Sequence, residues 1–336
     1  DAQWILAYGG SIVNGEESAE ETAKVIGNLD ADIMGLMGST FDNHVNAEAT
    51  IDSMLAVNST ITNDGTLTTT GKIGVNFGTE EAPRYVDLGY LQLTGSMTNE
   101  GTWPTDHTMI AGGSVANNKT MTVKGQLNNL GGDIANDGTL TTKGGIEVDG
   151  KTWNAGYVQT AGSMTNTGTW NASEIYAMAG SIKNLGNGVM NTQSMTLLDT
   201  DFTNANKVTV DGDFYMTEVE PTGERTSLNN TGSMTITGSM GLVGVDMTSK
   251  NLDVTGDFAF PSLKTEDGTL VANSQATNVG TMTVGGTTYI GEDATFNNAA
   301  DMTANALGVS GTFEQTSGTL TTNSQAYVEG KVNLTG

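Results

Sequence analysis

The nine residues 95–103, GSMTNEGTW, return sixty-seven positions later at 162–170 as GSMTNTGTW, with one letter changed. No other feature limits the fold as much, because this one belongs to a series. The pattern Asn-x-Gly-Thr, with a Ser variant, sets landmark glycines at 65, 78, 101, 138, 168, 232 and 280. Degenerate copies fall at 117–120, 154–156, 188, 206, 250, 267–269, 300 and 318. From 101 onward the successive gaps are 18, 19, 18, 12, 20, 18, 26, 18, 18, 12, 20 and 18 residues. A period near 18–20 belongs to stacked repeats, in which each unit is too small to bury a core alone and leans on its neighbours.

Fixed offsets from the landmarks carry the structural information. Two positions on stand Trp103, Met121, Leu140, Val158, Trp170, Met190, Val208, Met234, Leu252, Leu270, Met282, Met302 and Leu320, all apolar. Four positions on stand Thr105, Val123, Thr142, Thr160, Ala172, Thr192, Val210, Ile236, Val254, Ala272, Val284, Ala304 and Thr322, each small or β-branched. Glu80, in the slot after Gly78, breaks the rule. Alternation of this kind marks a strand with one buried face. Three short strands and three corners fit into 18–20 residues, as in 139–142, 145–148 and 162–166. The expected fold is therefore all-β: a right-handed parallel β-helix over residues 58–336, three strands to a coil. Corner glycines would supply positive φ, and corner asparagines would stack amide on amide between coils. Landmarks 138, 156, 168, 188 and 206 recur 112 residues later, although the residues between are dissimilar; either an old duplication has diverged, which is the favoured reading, or the coil lengths coincide.

Residues 1–57 depart from the pattern and are expected to form an N-terminal cap or assembly segment. Residues 1–8 suggest a strand. Ser18 with Glu21 forms a capping box, followed by Ala19, Ala23, Ile26, Leu29 and Ile33 at helical spacing, which predicts a helix over 18–29 and a weaker one over 46–55. The last residues, 331–336, still alternate like a coil strand. An uncapped final coil pairing with the N-terminal segment of the next copy would build a head-to-tail filament.

Composition bounds function. The net charge is −25, from 38 acidic and 13 basic residues, with Arg84 and Arg225 the only arginines. A nucleic-acid binder needs a basic face, and none can be assembled. No apolar run is long enough to span a bilayer. The chain has no Cys, which excludes disulfides and thiolate chemistry. With only 6% aromatics and sixteen Met, a narrow interior filled by Met rather than Phe is expected.

Candidate sites are few. His44 and His107 share no ligand spacing, and the acidic pairs Glu16-Glu17, Glu20-Glu21 and Asp199/Asp201 fit solvated faces. No catalytic residue, cofactor site or metal site is assigned. Weak calcium binding by the acidic surface is an expectation without named ligands. The Thr-x-Thr units Thr120/Thr122, Thr139/Thr141, Thr281/Thr283 and Thr319/Thr321, with Thr66/Thr68 before them, should form an outward ladder of hydroxyls. Thr also favours outward strand positions for purely structural reasons. Tyr157, Val189, Lys207 and Asp301 are expected to interrupt the ladder.

The GSMTNxGTW and Asp-Gly-Thr-Leu-Thr-Thr units resemble, in style, the β-helical passenger regions of bacterial autotransporters and haemagglutinin-like adhesins. That resemblance covers residues 58–336. It implies export and a place at the cell surface or in the extracellular matrix. The expected role is a non-catalytic structural or adhesive solenoid whose partners are other copies of itself, carbohydrate or a host surface. A polysaccharide-binding or polysaccharide-cleaving β-helix is the alternative, and an ice-binding Thr ladder a third.

Overall fold

The computed structural model describes all residues except 1, 16–26, 72, 77–84, 145, 149–150, 220–224, 265–269 and 336. Among the described residues the regular structure is strand throughout, with no helix. The chain divides into two compact units, residues 1–174 and 175–336. Each is a parallel β-helix of three faces, here called A, B and C in chain order.

In the first unit, face A stacks Ser11–Asn14, Thr40–Asn43, Ser59–Asn63, Gly95–Asn99, Ser114–Asn117, Asp133–Asn136 and Ser163–Asn166 in parallel register. Face B stacks the first halves of Asn28–Met37 and Glu48–Val57, then Thr66–Thr69, Thr102–Thr105, Thr120–Val123 and Thr139–Thr142. Face C stacks Ala2–Tyr8, the second halves of the same two long strands, the end of Tyr85–Gln92, His107–Ile110, Leu127–Asn129 and Ala155–Gln159. The second unit repeats the scheme. Its face A runs from Gly180–Asn184 and Thr200–Asn204 to Thr312–Gln315 and Lys331–Leu334.

Every face A strand of the first unit ends in Asn, and each of these side chains turns inward. Asn14, Asn43, Asn63, Asn99, Asn117 and Asn136 each donate from Nδ2 to Oδ1 of the Asn one coil on, at 2.7 Å, the last reaching Asn166. The second N–H of Asn63, Asn99, Asn117 and Asn136 bonds a backbone carbonyl of the next coil, those of Thr102, Thr120, Thr139 and Thr169. In the second unit Asn184, Asn204 and Asn230 continue the same arrangement up to the Ser249 hydroxyl, and Asn278 and Asn298 carry it to Gln315. Buried amides cost little when every donor is used, and each bond polarises the next.

Beside this ladder the interior is apolar. Met97, Val115, Ile134 and Met164 follow one another on face A, and Trp103, Met121, Leu140 and Trp170 on face B, all buried. Phe does fit the interior, contrary to expectation. Phe258, Phe260, Phe296 and Phe313 are fully buried in the second unit, and Phe296 stacks on Phe313 of the next coil with centroids 5.8 Å apart. A flat ring laid parallel to the coils needs only the spacing between them.

Several expectations need correction. The segment predicted as a helix over 46–55 is mostly the strand Glu48–Val57. Most of the helix predicted over 18–29 lies outside the described residues, but Asn28 and Leu29 open the strand Asn28–Met37. The misleading signal has a physical source. Each of these strands bends at a coil corner, so inward residues fall at 29, 31, 34 and 36 and at 49, 51, 54 and 56, and the three-residue step at the corner imitates helical spacing. The pairing passes from Glu48–Val57 to Thr66–Thr69 and Tyr85–Gln92, so residue 57 marks no break in the stack.

Among the described landmark glycines, 65, 101, 138, 168, 232 and 280 serve close approach rather than positive φ, whereas Gly318 has a φ of 72°. Gly101 has an ordinary φ, but a Cβ there would strike the Gly65 carbonyl oxygen of the coil below. Positive φ recurs at the corner between faces C and A, as at Gly95 (φ 105°), Gly113 and Gly162, and is also found between A and B at Gly15 and Gly186 and between B and C at Gly71 and Gly144. The offset rule also fails where a landmark lies elsewhere. Val158 is only half-buried and Thr160 exposed, because Gly156 opens a face C strand and the inward residues are Tyr157 and Gln159. Leu270 is 46% exposed in a hairpin outside the stack, and Leu320 is half-buried in the last coil.

Hairpins precede the landmarks that give the two 12-residue gaps. Antiparallel pairs 73–76/85–88 and 146–148/151–153 leave the first unit between faces B and C. The pair 263–264/270–272 leaves the second unit between faces C and A. The 112-residue recurrence therefore matches coil lengths whose extra residues sit at different corners, which does not support a duplication. The repeated GSMTNxGTW has a clearer cause. Each copy follows a hairpin and a face C strand, with Tyr90 and Gln92 before the first and Tyr157 and Gln159 before the second. Tyr90 packs edge-on against Trp103 at 5.0 Å and Tyr157 against Trp170 at 4.9 Å. Each phenol donates to the neighbouring Gln Oε1 at 2.8 Å, and burial pushes both hydroxyl pKa values far up.

Candidate functional site

Outward side chains of a parallel stack form columns, one residue per coil, about 4.8 Å apart. On face B of the first unit Thr66, Thr102, Thr120, Thr139 and Thr169 make one such column. The column beside it holds Thr50, Thr68, Pro104, Thr122, Thr141 and Asn171. The structure thus brings Thr120, Thr122, Thr139 and Thr141 together on one sheet face. Thr120 and Thr139 are exposed and Thr122 and Thr141 half-exposed. In the second unit Thr283 pairs with Thr303, which pairs with Thr321, while Thr281 pairs with Asn251. The Thr319 amide donates to the Asp301 carboxylate at 2.9 Å. Val189 and Lys207 stand in these columns, as expected. Tyr157 does not, because it points into the core.

A second surface lies in the first unit at the corner between faces B and C. Thr70, Gly71, Asp87, Asp106, His107, Lys124, Gly125 and Gly144 line a cleft of about 310 Å³. Its ends adjoin the two hairpins, and its floor is made by coils that carry no insertion. His107 was assigned no role from sequence; the fold sets it between two aspartates. Its Nδ1 accepts the Gln126 backbone N–H at 2.9 Å, which leaves the ring proton on Nε2 when the imidazole is neutral. Burial lowers the His107 pKa, opposed by Asp106 and Asp87. Lys124 Nζ stands 3.7 Å from Asp106 Oδ1. Gly125 is required here, since a Cβ would enter the imidazole ring. The cleft therefore offers carboxylate acceptors, an ammonium and an imidazole N–H at neutral pH. Such a set suits a ligand rich in hydroxyls.

The second unit holds one polar cluster that sequence spacing could not reveal. Glu218 is buried at 3% exposure, and its Oε2 has no hydrogen-bond partner. Nearby, Arg225 pairs with Asp246 at 3.1 Å and donates to Asn273 Oδ1 at 2.9 Å and to the Gly244 carbonyl at 3.2 Å. Burial raises the Asp246 pKa, against the pull of Arg225. These contacts tie an insertion to the coils, a structural task.

Among the described residues, no group of three or more His, Asp or Glu side chains is placed to hold a metal ion, and no helix is long and apolar enough to cross a membrane. No protein-family model matches the chain, and neither a curated protein nor a solved structure shows significant similarity to it.

Proposed function

We propose that the chain is a non-catalytic structural and adhesive β-solenoid of a bacterial cell surface or extracellular matrix. The observation that carries this is the pair of Thr columns on face B of the first unit. Each coil presents the same hydroxyl and methyl at the same height, so weak contacts to a regular hydroxylated surface add up across coils. The buried amide ladder supports the role, because from Asn14 to Asn166 it bonds successive coils by side chains as well as backbone.

The test replaces Thr120, Thr122, Thr139 and Thr141 together by Glu and measures retention of the full chain on polysaccharide-coated surfaces by quartz-crystal microbalance. Retention should fall at least roughly tenfold with circular dichroism unchanged. Undiminished retention refutes the assignment to this face, and turnover of any polysaccharide by the native chain refutes the non-catalytic role. The cleft around His107 favours a second function, binding of a soluble saccharide without cleavage. Saturation-transfer NMR that is lost in Asp106→Ala and kept in the Thr variant would assign it.

A further inference from the structure

Face C of the first unit carries a surface unlike the other two. The inward residues of its first four strands include Met34, Leu36, Met54, Ala56, Tyr90 and Gln92, all buried. By register and alternation the outward positions are Trp4, Leu6 and Tyr8 on the first strand and Ile33, Gly35 and Met37 on the next. Leu55, Val57, Leu91 and Leu93 continue them. Trp4, Leu6 and Tyr8 are 65%, 59% and 70% exposed, and Met37 and Leu93 about 40%. Leu6 leans across Gly35, where a Cβ would lie 2.8 Å from its Cδ2. None of these positions is charged, although the chain as a whole carries −25. Face B of the same coils turns Glu48, Thr50, Thr66 and Thr68 outward. Contiguous exposed apolar surface of this kind marks an interaction site.

We infer that this face pairs with the same face of a second copy of the chain. A saccharide would need several hydrogen-bonding groups beside the rings, and the exposed strip offers only the Tyr8 hydroxyl and the Trp4 indole N–H. An anionic membrane would repel so acidic a chain. A flat, uncharged sheet face is matched by another one, the two packing about 10 Å apart with side chains interleaved. A two-fold axis supplies that partner without any further surface. An aromatic side chain buries 150–250 Å², so at these exposures the strip offers roughly 600 Å² per copy, and a pair would bury about 1,200 Å², the lower limit for a stable interface. The dimer is therefore weak. Because each copy is strongly acidic, screening strengthens it, and affinity rises with salt.

Sedimentation equilibrium of the full chain, up to about 100 µM, at low and high NaCl tests this. The expected result is a monomer–dimer equilibrium that tightens with salt and is weakened at least roughly tenfold by Tyr8→Glu. Thr122→Glu on face B should leave it unchanged. Tyr8 is exposed, so its replacement leaves the core intact. Since the chain has no Cys, a spin label on Tyr8→Cys gives a second measurement, and dipolar coupling between copies is expected. A monomer at both salt concentrations overturns the proposal, as does a dimer indifferent to Tyr8→Glu. Binding of the monomer to vesicles or polysaccharide that Tyr8→Glu abolishes also overturns it and gives the face to that occupant. Because the Thr columns lie on a different face, none of these outcomes bears on the adhesive role.

Discussion

Replacing Asn117 by Ala removes one rung from the middle of the amide ladder. In the native chain Asn117 Oδ1 accepts from Asn99 at 2.7 Å, while its Nδ2 donates to Asn136 Oδ1 at 2.7 Å and to the Thr139 carbonyl at 3.1 Å. The variant leaves an Asn99 N–H without its acceptor and the Asn136 Oδ1 without its donor, both in a buried interior. Each orphaned buried group costs about 1–3 kcal/mol, so the loss should be about 2–5 kcal/mol. Asn117→Asp should cost more, because it sets an acceptor against the Asn136 oxygen and buries a charge. The sharper test is the double variant Asn117→Ala/Asn136→Ala. It too leaves one orphan donor and one orphan acceptor, now on Asn99 and Asn166. It should therefore cost about 2 kcal/mol less than the sum of the singles. Stacked coils need not unfold in one step, so native-state hydrogen exchange across 114–117 and 133–136 is the assay, supported by urea denaturation. Thr122→Ala, one face away and half-exposed, should stay within about 0.5 kcal/mol. A cost for Asn117→Ala below about 0.5 kcal/mol, or strict additivity in the double variant, would refute a ladder that stabilises the stack.

Two further outcomes test particular sites. Glu218→Gln should raise the melting temperature, since a buried carboxylate oxygen without a partner is costlier than a neutral amide; a lower one would show that the carboxylate has a favourable role. His107 should titrate below 6.5 by NMR, because burial disfavours its charged form more than Asp106 and Asp87 favour it. The unfolded chain then takes up the proton first as pH falls. The stabilisation tied to neutral His107 is complete above the ordinary histidine range and is lost as pH falls through the lower, folded value. The melting temperature of the native chain should accordingly drop more steeply than that of His107→Gln between about pH 7.5 and 5, and parallel profiles would sink this account.

Much of the coil was legible in the chain itself. Alternation two and four residues beyond each landmark is a local property of a strand, so Trp103, Met121 and Leu140 could be set inside and Thr120, Thr122, Thr139 and Thr141 outside without any partner being known. The corner asparagines were likewise visible as a recurring letter, and their stacking followed from the need to satisfy a buried amide. Phase was not legible. At Ala31–Ile33 and Ile51–Ser53 a strand turns a corner without leaving extended backbone, and the alternation slips by one residue there. That slip produced a false helical spacing. Gly101 looked like a turn glycine, but its need is set by the backbone of another coil.

What the sequence by itself determined was the repeating strand, its inward and outward residues, and the three-sided coil that such strands close. Only the tertiary structure decided which residues meet. Along the first unit's ladder successive asparagines lie 29, 20, 36, 18, 19 and 30 residues apart, and hairpins that leave the stack account for the steps of 36 and 30. The cleft beside His107, the Tyr–Trp pairs behind the repeated nine residues and the apolar strip from Trp4 to Leu93 all arise across such gaps. Alternation is set by covalent geometry within a strand, whereas a column or a cleft is set by the spacing between coils, which no short stretch of sequence contains.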